Sequence, residues 1–360
     1  MCMIGLILIH PLYLSIFHNL DMPFFDNREI SGLPVLRSPK DFFEATMQID
    51  SFIADRLPFR NRIISALYWF RQEILHDYIF PQVVMGKNDW LYYSGYYNFD
   101  LYQQVMPFSQ DELSEIHNNL ESTQAWLSAR NIQMIVVIVP EKETIYPEYL
   151  PGNIPVIGEI SQIDQLFEYF SGKNEMTIID LRPAIFERKK TFQTYYLTDT
   201  HWNEVGCQAG YEEIMREIVN QYPQLQPYPL SDFDMTMNFI QGDLLRFIGQ
   251  LSQLETNPFS LNKKSPTRAQ LVADDDGYWS KMMVDDPSLP RLLMFRDSFG
   301  FCLIPFLAEH FNLSLFQWAW PPTTSIVVDQ ELVEQFNPDI VIIEIAERYL
   351  RLRLLPSGNP

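Results

Sequence analysis

Basic charge is what this chain has least of. Its 360 residues hold 26 lysines and arginines against 46 aspartates and glutamates, a formal net charge of −20 at pH 7. A surface of that sign repels phosphate backbones, so nucleic acid is set aside as a partner. No basic patch stands out to receive a polyanionic polysaccharide, and the charge therefore leans toward a neutral acceptor. Cysteine is scarce as well. Cys2, Cys207 and Cys302 form no C-x-x-C pair and no metal-ligand spacing. The acidic run Asp274, Asp275 and Asp276 has no His or Cys close by to complete a ligand set, so it reads as solvated and no metal is expected. No repeat of fixed period and no long low-complexity run occurs, which excludes solenoid and disordered architectures.

What remains is an ordinary globular balance, long enough for one large α/β domain with insertions or one domain plus small additions. Met1 to Leu20 carries no Lys, Arg, Asp or Glu. An apolar stretch of that length suits a membrane anchor over 1–20, with a buried N-terminal helix as the alternative given His10, Pro11 and His18. No small-x-small cleavage site follows it, which argues against a removed signal peptide. Residues 21–82 read as a linker and helical region, with Pro23, Pro34, Pro39 and Pro58 as breakers and a helix over Ile49–Leu75 bent or split at Pro58.

From 83 to 355 the pattern is that of one domain. Val83 to Tyr93 reads as a β-hairpin around a polar turn. Ser109, followed three residues later by Glu112, caps a helix to Arg130. Ile132–Val139 is a continuous β-branched run, as expected of a buried parallel strand. Further strands are expected at Met176–Leu181, Leu292–Phe295, Leu313–Gln317 and Ile340–Ile345. Helices are expected at Ile160–Phe170, Asn203–Tyr222, Phe299–His310 and Val327–Phe336. Such alternation implies a mostly parallel sheet with helices on both faces. The stretch from about 224 to 290, rich in Pro, Asp and Asn, reads as an irregular insertion or lid.

Ligands of open α/β sheets bind beyond the carboxyl ends of the strands. Ser298 stands there, at a strand-to-helix turn in Arg296-Asp297-Ser298-Phe299-Gly300. The turn exposes its hydroxyl and offers backbone N–H groups to an oxyanion, although Asp297 or Ser298 as a plain N-cap explains the position equally. A serine hydroxyl needs a base, and the base needs a group that fixes its tautomer. His201 and Asp199, in Thr198-Asp199-Thr200-His201-Trp202-Asn203, have that composition. Trp202 would wall the site. The alternative is a capping cluster in which His201 is incidental.

Asp-Thr-His-Trp-Asn before a helix, with a later Asp-Ser-Phe after a strand, resembles the AlgX/AlgJ group of SGNH-hydrolase-like polysaccharide O-acetyltransferases. The resemblance extends through Val84-Met85-Gly86-Lys87 with Trp90-Leu91, Val139-Pro140-Glu141-Lys142 with Ile145-Tyr146-Pro147, Gly242-Asp243-Leu244, and Glu344 with Glu347-Arg348-Tyr349-Leu350. It implies an SGNH-hydrolase-like, flavodoxin-like α/β fold, with Ser298 as nucleophile, His201 as general base and Asp199 as its orienter. It also implies an extracytoplasmic location, a polysaccharide acceptor such as alginate or another cell-surface glycan, and a membrane-bound O-acyltransferase-type acyl exporter as partner. No metal or organic cofactor enters such a mechanism. The Asp-x-His segment precedes the serine here, as in that group and opposite to ordinary SGNH esterases. Arg296 departs from the Gly of the usual Gly-Asp-Ser block. With no C-terminal carbohydrate-binding module after the fifth strand, the chain is nearer the AlgJ type.

Around the catalytic set, Arg296, Trp202, Lys142, Tyr146 and Arg348 are candidate substrate-binding residues. A surface or inter-loop ion pair is the competing reading for Lys142 with Glu141, and a salt bridge holding the end of the last strand for Arg348 with Glu347. Tyr92, Tyr93, Tyr96 and Tyr97 would stack on sugar rings or be buried. Cys207 and Cys302 each follow a catalytic candidate closely; two buried thiols and a disulfide both remain open. Three functions fit: an O-acetyltransferase working through an acyl-serine, a carbohydrate esterase, and a non-catalytic glycan-binding scaffold of an export complex.

Overall fold

The computed structural model describes residues 82–355 apart from 153, 173–175, 249–254, 276 and 320–327, together with isolated positions between 66 and 75. The expected anchor over 1–20 and most of the region over 21–82 lie outside these residues. Among the described residues no helix is long and apolar enough to cross a membrane.

The chain opens on the expected hairpin, β1 (Val83–Met85) and β2 (Leu91–Tyr93), paired antiparallel, then a short helix α1 (Asn98–Tyr102). Helix α2 (Gln110–Ser128) starts at Ser109 with a complete capping box: the Ser109 hydroxyl accepts from the Glu112 N–H, and the Glu112 carboxylate accepts from the Ser109 N–H. There follow β3 (Gln133–Val139), α3 (Lys142–Ile145), α4 (Gln162–Phe170), β4 (Thr177–Asp180), α5 (Arg182–Lys189) and α6 (Glu204–Gln221). After β5 (Phe233–Ile240), β6 (Glu255–Lys263), β7 (Gln270–Asp274) and β8 (Trp279–Met283) the chain resumes its alternation. That last part comprises β9 (Arg291–Arg296), α7 (Ile304–Leu307), β10 (Leu313–Trp318), α8 (Gln330–Phe336), β11 (Ile340–Ala346) and α9 (Leu350–Leu354).

The main sheet runs β4-β3-β11-β9-β10-β8-β7. Its first five strands are parallel; β8 adds antiparallel to β10, and β7 antiparallel to β8. Counted from β9 as the first parallel strand, the order across the sheet is 2-1-3-4-5, the flavodoxin-like succession, entered at a different point of the cycle. The crevice that this order creates lies between β9 and β11.

Alternation along the strands divides the core. Ile135, Val137, Val139, Ile340, Ile342 and Leu292 face α5 and α6, packing with Ile185, Tyr211, Ile214 and Ile218. Met134, Val136, Ile138, Val341, Ile343 and Leu293 face α2, α4, α8 and α9, packing with Ile116, Leu120, Leu166 and Val333. Every residue of β11 is buried, the signature of a central parallel strand covered on both sides.

The stretch expected to be an irregular insertion carries four strands between its loops. β5 pairs with β6, and β7 with β8, which extends the sheet edge. Between β5 and β6 a 3-10 turn, Asp243–Ile248, buries Leu244, Leu245 and Ile248 against Val83 and Leu91 of the hairpin. This small satellite core fixes the position of Asp243.

Candidate active site

The loop from Thr194 to Asn203 doubles back on itself. Tyr195 and Trp202 form a β-bridge, the Asn203 N–H donates to the Thr194 carbonyl (3.0 Å), and the Tyr196 N–H donates to the His201 carbonyl (3.3 Å). Asn203 caps α6, its side-chain oxygen accepting from the N–H groups of Val205 and Gly206. Capping therefore falls to Asn203, which leaves Asp199 and Thr200 for other work.

One carboxylate oxygen of Asp199, Oδ1, accepts from the His201 N–H (2.9 Å) and lies 2.8 Å from His201 Nδ1; the other, Oδ2, accepts from the Asp243 N–H (2.9 Å). Burial pushes the Asp199 carboxyl upward, but hydrogen bonding and the charge of His201 outweigh it and hold the group well below the usual range. Burial acts on His201 in the opposite sense, and the Asp199 bond and charge, with Asp243 behind, leave the imidazole above its ordinary 6.5. Nε2 of His201 is buried and has no hydrogen-bond partner among the described residues.

Ser298 follows β9 with backbone φ −67° and ψ −28° and makes no side-chain cap. The capping role belongs to Asp297, whose Oδ1 accepts from the Phe299 N–H (2.9 Å) and whose Oδ2 accepts from the Ala346 N–H (2.8 Å). The Phe299 N–H is thereby committed and is no oxyanion donor. Beneath the turn, Glu344 accepts from the Asp297 N–H (2.9 Å), and burial and the Asp297 carboxyl drive its own carboxyl far up. The turn passes so close that a Cβ on Gly300 would sit 2.6 Å from Arg296 Cβ and 2.7 Å from a Glu344 oxygen.

Ser298, His201, Asp199 and Trp202 line one cavity of about 910 Å³, whose other walls are largely aromatic and aliphatic, among them Phe233, Phe299, Phe301, Phe306 and Trp318. The hydrogen bond expected between Ser298 and His201 is not formed, since Nε2 has no partner. The Phe299 ring lies 4.8 Å from the imidazole, inclined at 55°. Contacts of this kind are commonly loose in an unliganded site and tighten around substrate.

The outer candidates separate. Trp202 is buried, lines the cavity and donates Nε1–H to the Phe299 carbonyl (3.1 Å), tying the histidine loop to the serine turn. Arg296 also lines the cavity; it donates to the carbonyls of Asp297 (3.2 Å) and Gly277 (2.8 Å), while its Nε has no partner. Lys142, Tyr146 and Arg348 are not in the cavity wall. Lys142 is 1% exposed and gives Nζ to the carbonyls of Leu91 (2.6 Å), Leu197 (2.9 Å) and Asp199 (2.8 Å), with burial bringing its ammonium down to about 8. It braces the histidine loop from below, where no acceptor reaches. Tyr146 is buried against Trp90, with ring centroids 4.4 Å apart, and bonds Thr194 at the root of the loop. Arg348 grips Glu141 with two bonds of 2.6 and 2.7 Å, so neither Glu347 nor Lys142 is a member of that pair. Of the tyrosines, Tyr92 is buried, Tyr96 and Tyr97 are exposed, and none of the four lines the cavity.

Two residues outside the sequence-derived set complete the scaffold. Asp243 accepts from the Thr200 N–H (2.7 Å) and hydroxyl (3.1 Å), and its Oδ2 stands 4.0 Å from His201 Nδ1. Glu255 accepts from the N–H groups of Leu197 (2.7 Å) and Thr198 (2.8 Å) and from the Thr198 hydroxyl (2.7 Å). The Gly242-Asp243 pair was the signal in the sequence: a Cβ on Gly242 would meet the Thr198 carbonyl at 2.1 Å, so only glycine lets the two loops touch. Ligand atoms of Asp199, His201 and Asp243 all fall within 4.8 Å, a grouping that could hold a cation. The hydrogen bonds above account for the grouping without one.

With that geometry in place, comparison with known proteins is informative. Residues 83–312 match the family model "SGNH hydrolase-like domain, acetyltransferase AlgX". The chain is similar to the protein named probable alginate O-acetylase AlgJ from Pseudomonas aeruginosa, 23% identical over 237 residues, covering 61% of this chain and 56% of that one. It is 26% identical over 189 residues to the counterpart from Pseudomonas syringae pv. tomato, covering 51% and 46%. The chain spans about half the length of the curated relatives it matches. Among solved structures, the O-acetyltransferase domain of Pseudomonas putida AlgJ matches with TM-score 0.47 and 18% identity, covering 75% of this chain and 92% of that one. PatB1 of Bacillus cereus matches with TM-score 0.49 and 15% identity, covering 74% and 96%. On the family match over most of its described length, the chain belongs to the AlgX-type SGNH-hydrolase-like acetyltransferase domain family.

Proposed function

We propose that this protein is an O-acetyltransferase that moves an acetyl group onto a polysaccharide hydroxyl through an acyl-Ser298 intermediate. The observation that carries the reading is the pairing of a fixed imidazole with a spare nitrogen: Asp199 holds Nδ1 of His201, while Nε2 has no other partner and shares its cavity with the uncapped hydroxyl of Ser298.

In the first half-reaction Nε2 takes the Ser298 proton as Oγ attacks the acyl carbonyl carbon, and the proton passes to the leaving group as it departs. In the second, Nε2 takes the proton of a sugar hydroxyl, whose oxygen attacks the acyl-serine, and returns it to Oγ. Asp199 stabilises the imidazolium in both. Arg296, with Nε unpartnered in the cavity wall, binds a polar group of donor or acceptor. The proposed setting is periplasmic, with a membrane-bound O-acyltransferase-type exporter supplying the acyl group.

The test is a serine-directed acyl or sulfonyl probe followed by peptide mass mapping, paired with a measurement of acetyl transfer to an oligosaccharide against release of free acetate. An adduct on Ser298 with net transfer supports the proposal. An adduct with acetate alone makes the protein an esterase. No adduct in a folded sample leaves the non-catalytic scaffold.

A further inference from the structure

The two elements that carry the catalytic pair each bring a cysteine to the same place. Cys207 lies in the first turn of α6, directly behind the histidine loop, and Cys302 lies in the 3-10 turn Phe299–Leu303 that Ser298 opens. α6 packs on that turn, and the Trp202–Phe299 hydrogen bond pins the two segments together. Burial raises the Cys207 thiol most and the neighbouring Cys302 raises it further, while the Tyr196 phenol feels both cysteines. Both thiols are free. Cys207 is fully buried, whereas Cys302 is partly exposed and lines the catalytic cavity.

We infer that Cys207 and Cys302 are a disulfide-forming pair, and that the bond they form ties the histidine loop to the serine turn across the active site. The cavity gives an oxidant a route to Cys302 and to no other cysteine of the described residues. A small or protein disulfide is the oxidant. The Cys302 thiolate attacks one of its sulfurs and expels the other as a thiolate, leaving a mixed disulfide. The Cys207 thiolate then attacks Cys302 sulfur and releases the second thiol of the oxidant. Two thiols are oxidised, one disulfide is reduced to two thiols, and two protons pass to solvent or to the leaving thiolates. Burial holds the Cys207 thiol well above its usual range, so the closing step is slow at neutral pH and accelerates as pH rises. The bond would close a loop of roughly 95 residues, long enough for a substantial constraint on the unfolded chain.

This bond does not depend on the chemistry proposed for Ser298, because its readout is a mass and a melting temperature. The test uses the full chain carrying Cys2→Ser, so that the pair alone is counted. The folded protein is incubated with oxidised glutathione at pH 8.5, denatured, alkylated and weighed. The expected result is no alkyl group after oxidation and two after dithiothreitol. The oxidised form should also melt several degrees higher, a gap abolished in Cys207→Ser and Cys302→Ser. Two alkyl groups after prolonged oxidation of a sample with native circular dichroism, or closure seen only in urea, would overturn the inference.

Discussion

The backbone N–H of Asp243 donates to Oδ2 of Asp199 across 2.9 Å, so the carboxylate that orients the imidazole is itself held in place from a distant loop. Asp243 also carries the neighbouring Thr200 and stands 4.0 Å behind the same ring. Asp243→Ala keeps that backbone bond but removes the carboxylate that holds Thr200, and is expected to lower kcat by about 10- to 100-fold through misalignment. Its charge is one of the influences that raise His201, so the acidic limb of the pH–rate profile should also move toward lower pH. A profile that keeps its midpoint in a folded variant would contradict this placement.

The proposed reaction needs His201 neutral, and its partners raise it above 6.5. Activity should therefore rise with pH through a midpoint above that value, and Asp199→Asn should shift the midpoint down while cutting kcat by roughly 10²- to 10⁴-fold. Stability runs the other way. The raised His201 contributes stability below 6.5 that is lost as pH climbs through its folded value. The depressed Asp199 contributes above 3.8 and loses it as pH falls through its folded value. The stability gap between wild type and Asp199→Asn should thus be widest between pH 3.8 and 6.5, measured by urea titration at several pH values.

Ser298 makes no cap and holds up no neighbour through its side chain. Ser298→Ala should fold with an unchanged melting temperature while losing on the order of 10³-fold or more in acyl transfer. Loss of activity accompanied by a large drop in melting temperature would return the residue to a structural role.

Arg348 and Glu141 are each only a few per cent exposed, and their pair is outside the cavity. Arg348→Ala strands a buried carboxylate and should cost roughly 3–5 kcal/mol of stability by denaturant titration. A neutral effect on stability with a raised KM would instead mark Arg348 as a substrate contact.

Much of this was legible in the sequence because local patterns carried it. The run Ile132–Val139 could only be a buried strand, and Ser109 with Glu112 could only open a helix, so the parallel core followed from periodicity. The Asp199–His201 contact was readable since the two residues are neighbours along the chain. What escaped were interactions that join distant segments. Lys142 carries a charge, which suggested a surface role, yet three carbonyls, one from β2 and two from the histidine loop, surround it. The stretch Phe233-Asp234-Met235-Thr236-Met237-Asn238-Phe239 alternates with a period of two, a strand signal masked by the prolines that precede it. Met237 and Phe239 of that strand are exposed, so the alternation is not matched by a buried face. Asp243 was visible only within the Gly242-Asp243-Leu244 piece of the resemblance, because its role depends on a contact to Thr200 that no local pattern encodes.

The position of β11 between β3 and β9 has a consequence for assembly. During synthesis the ribosome releases His201 early and Ser298 much later, and the strand that joins their two half-sheets emerges after both. Until residues 340–346 leave the exit tunnel, β3 and β9 share no neighbour, and each presents a bare apolar edge. Completion of the catalytic centre therefore waits on a segment that supplies none of its proposed reacting groups.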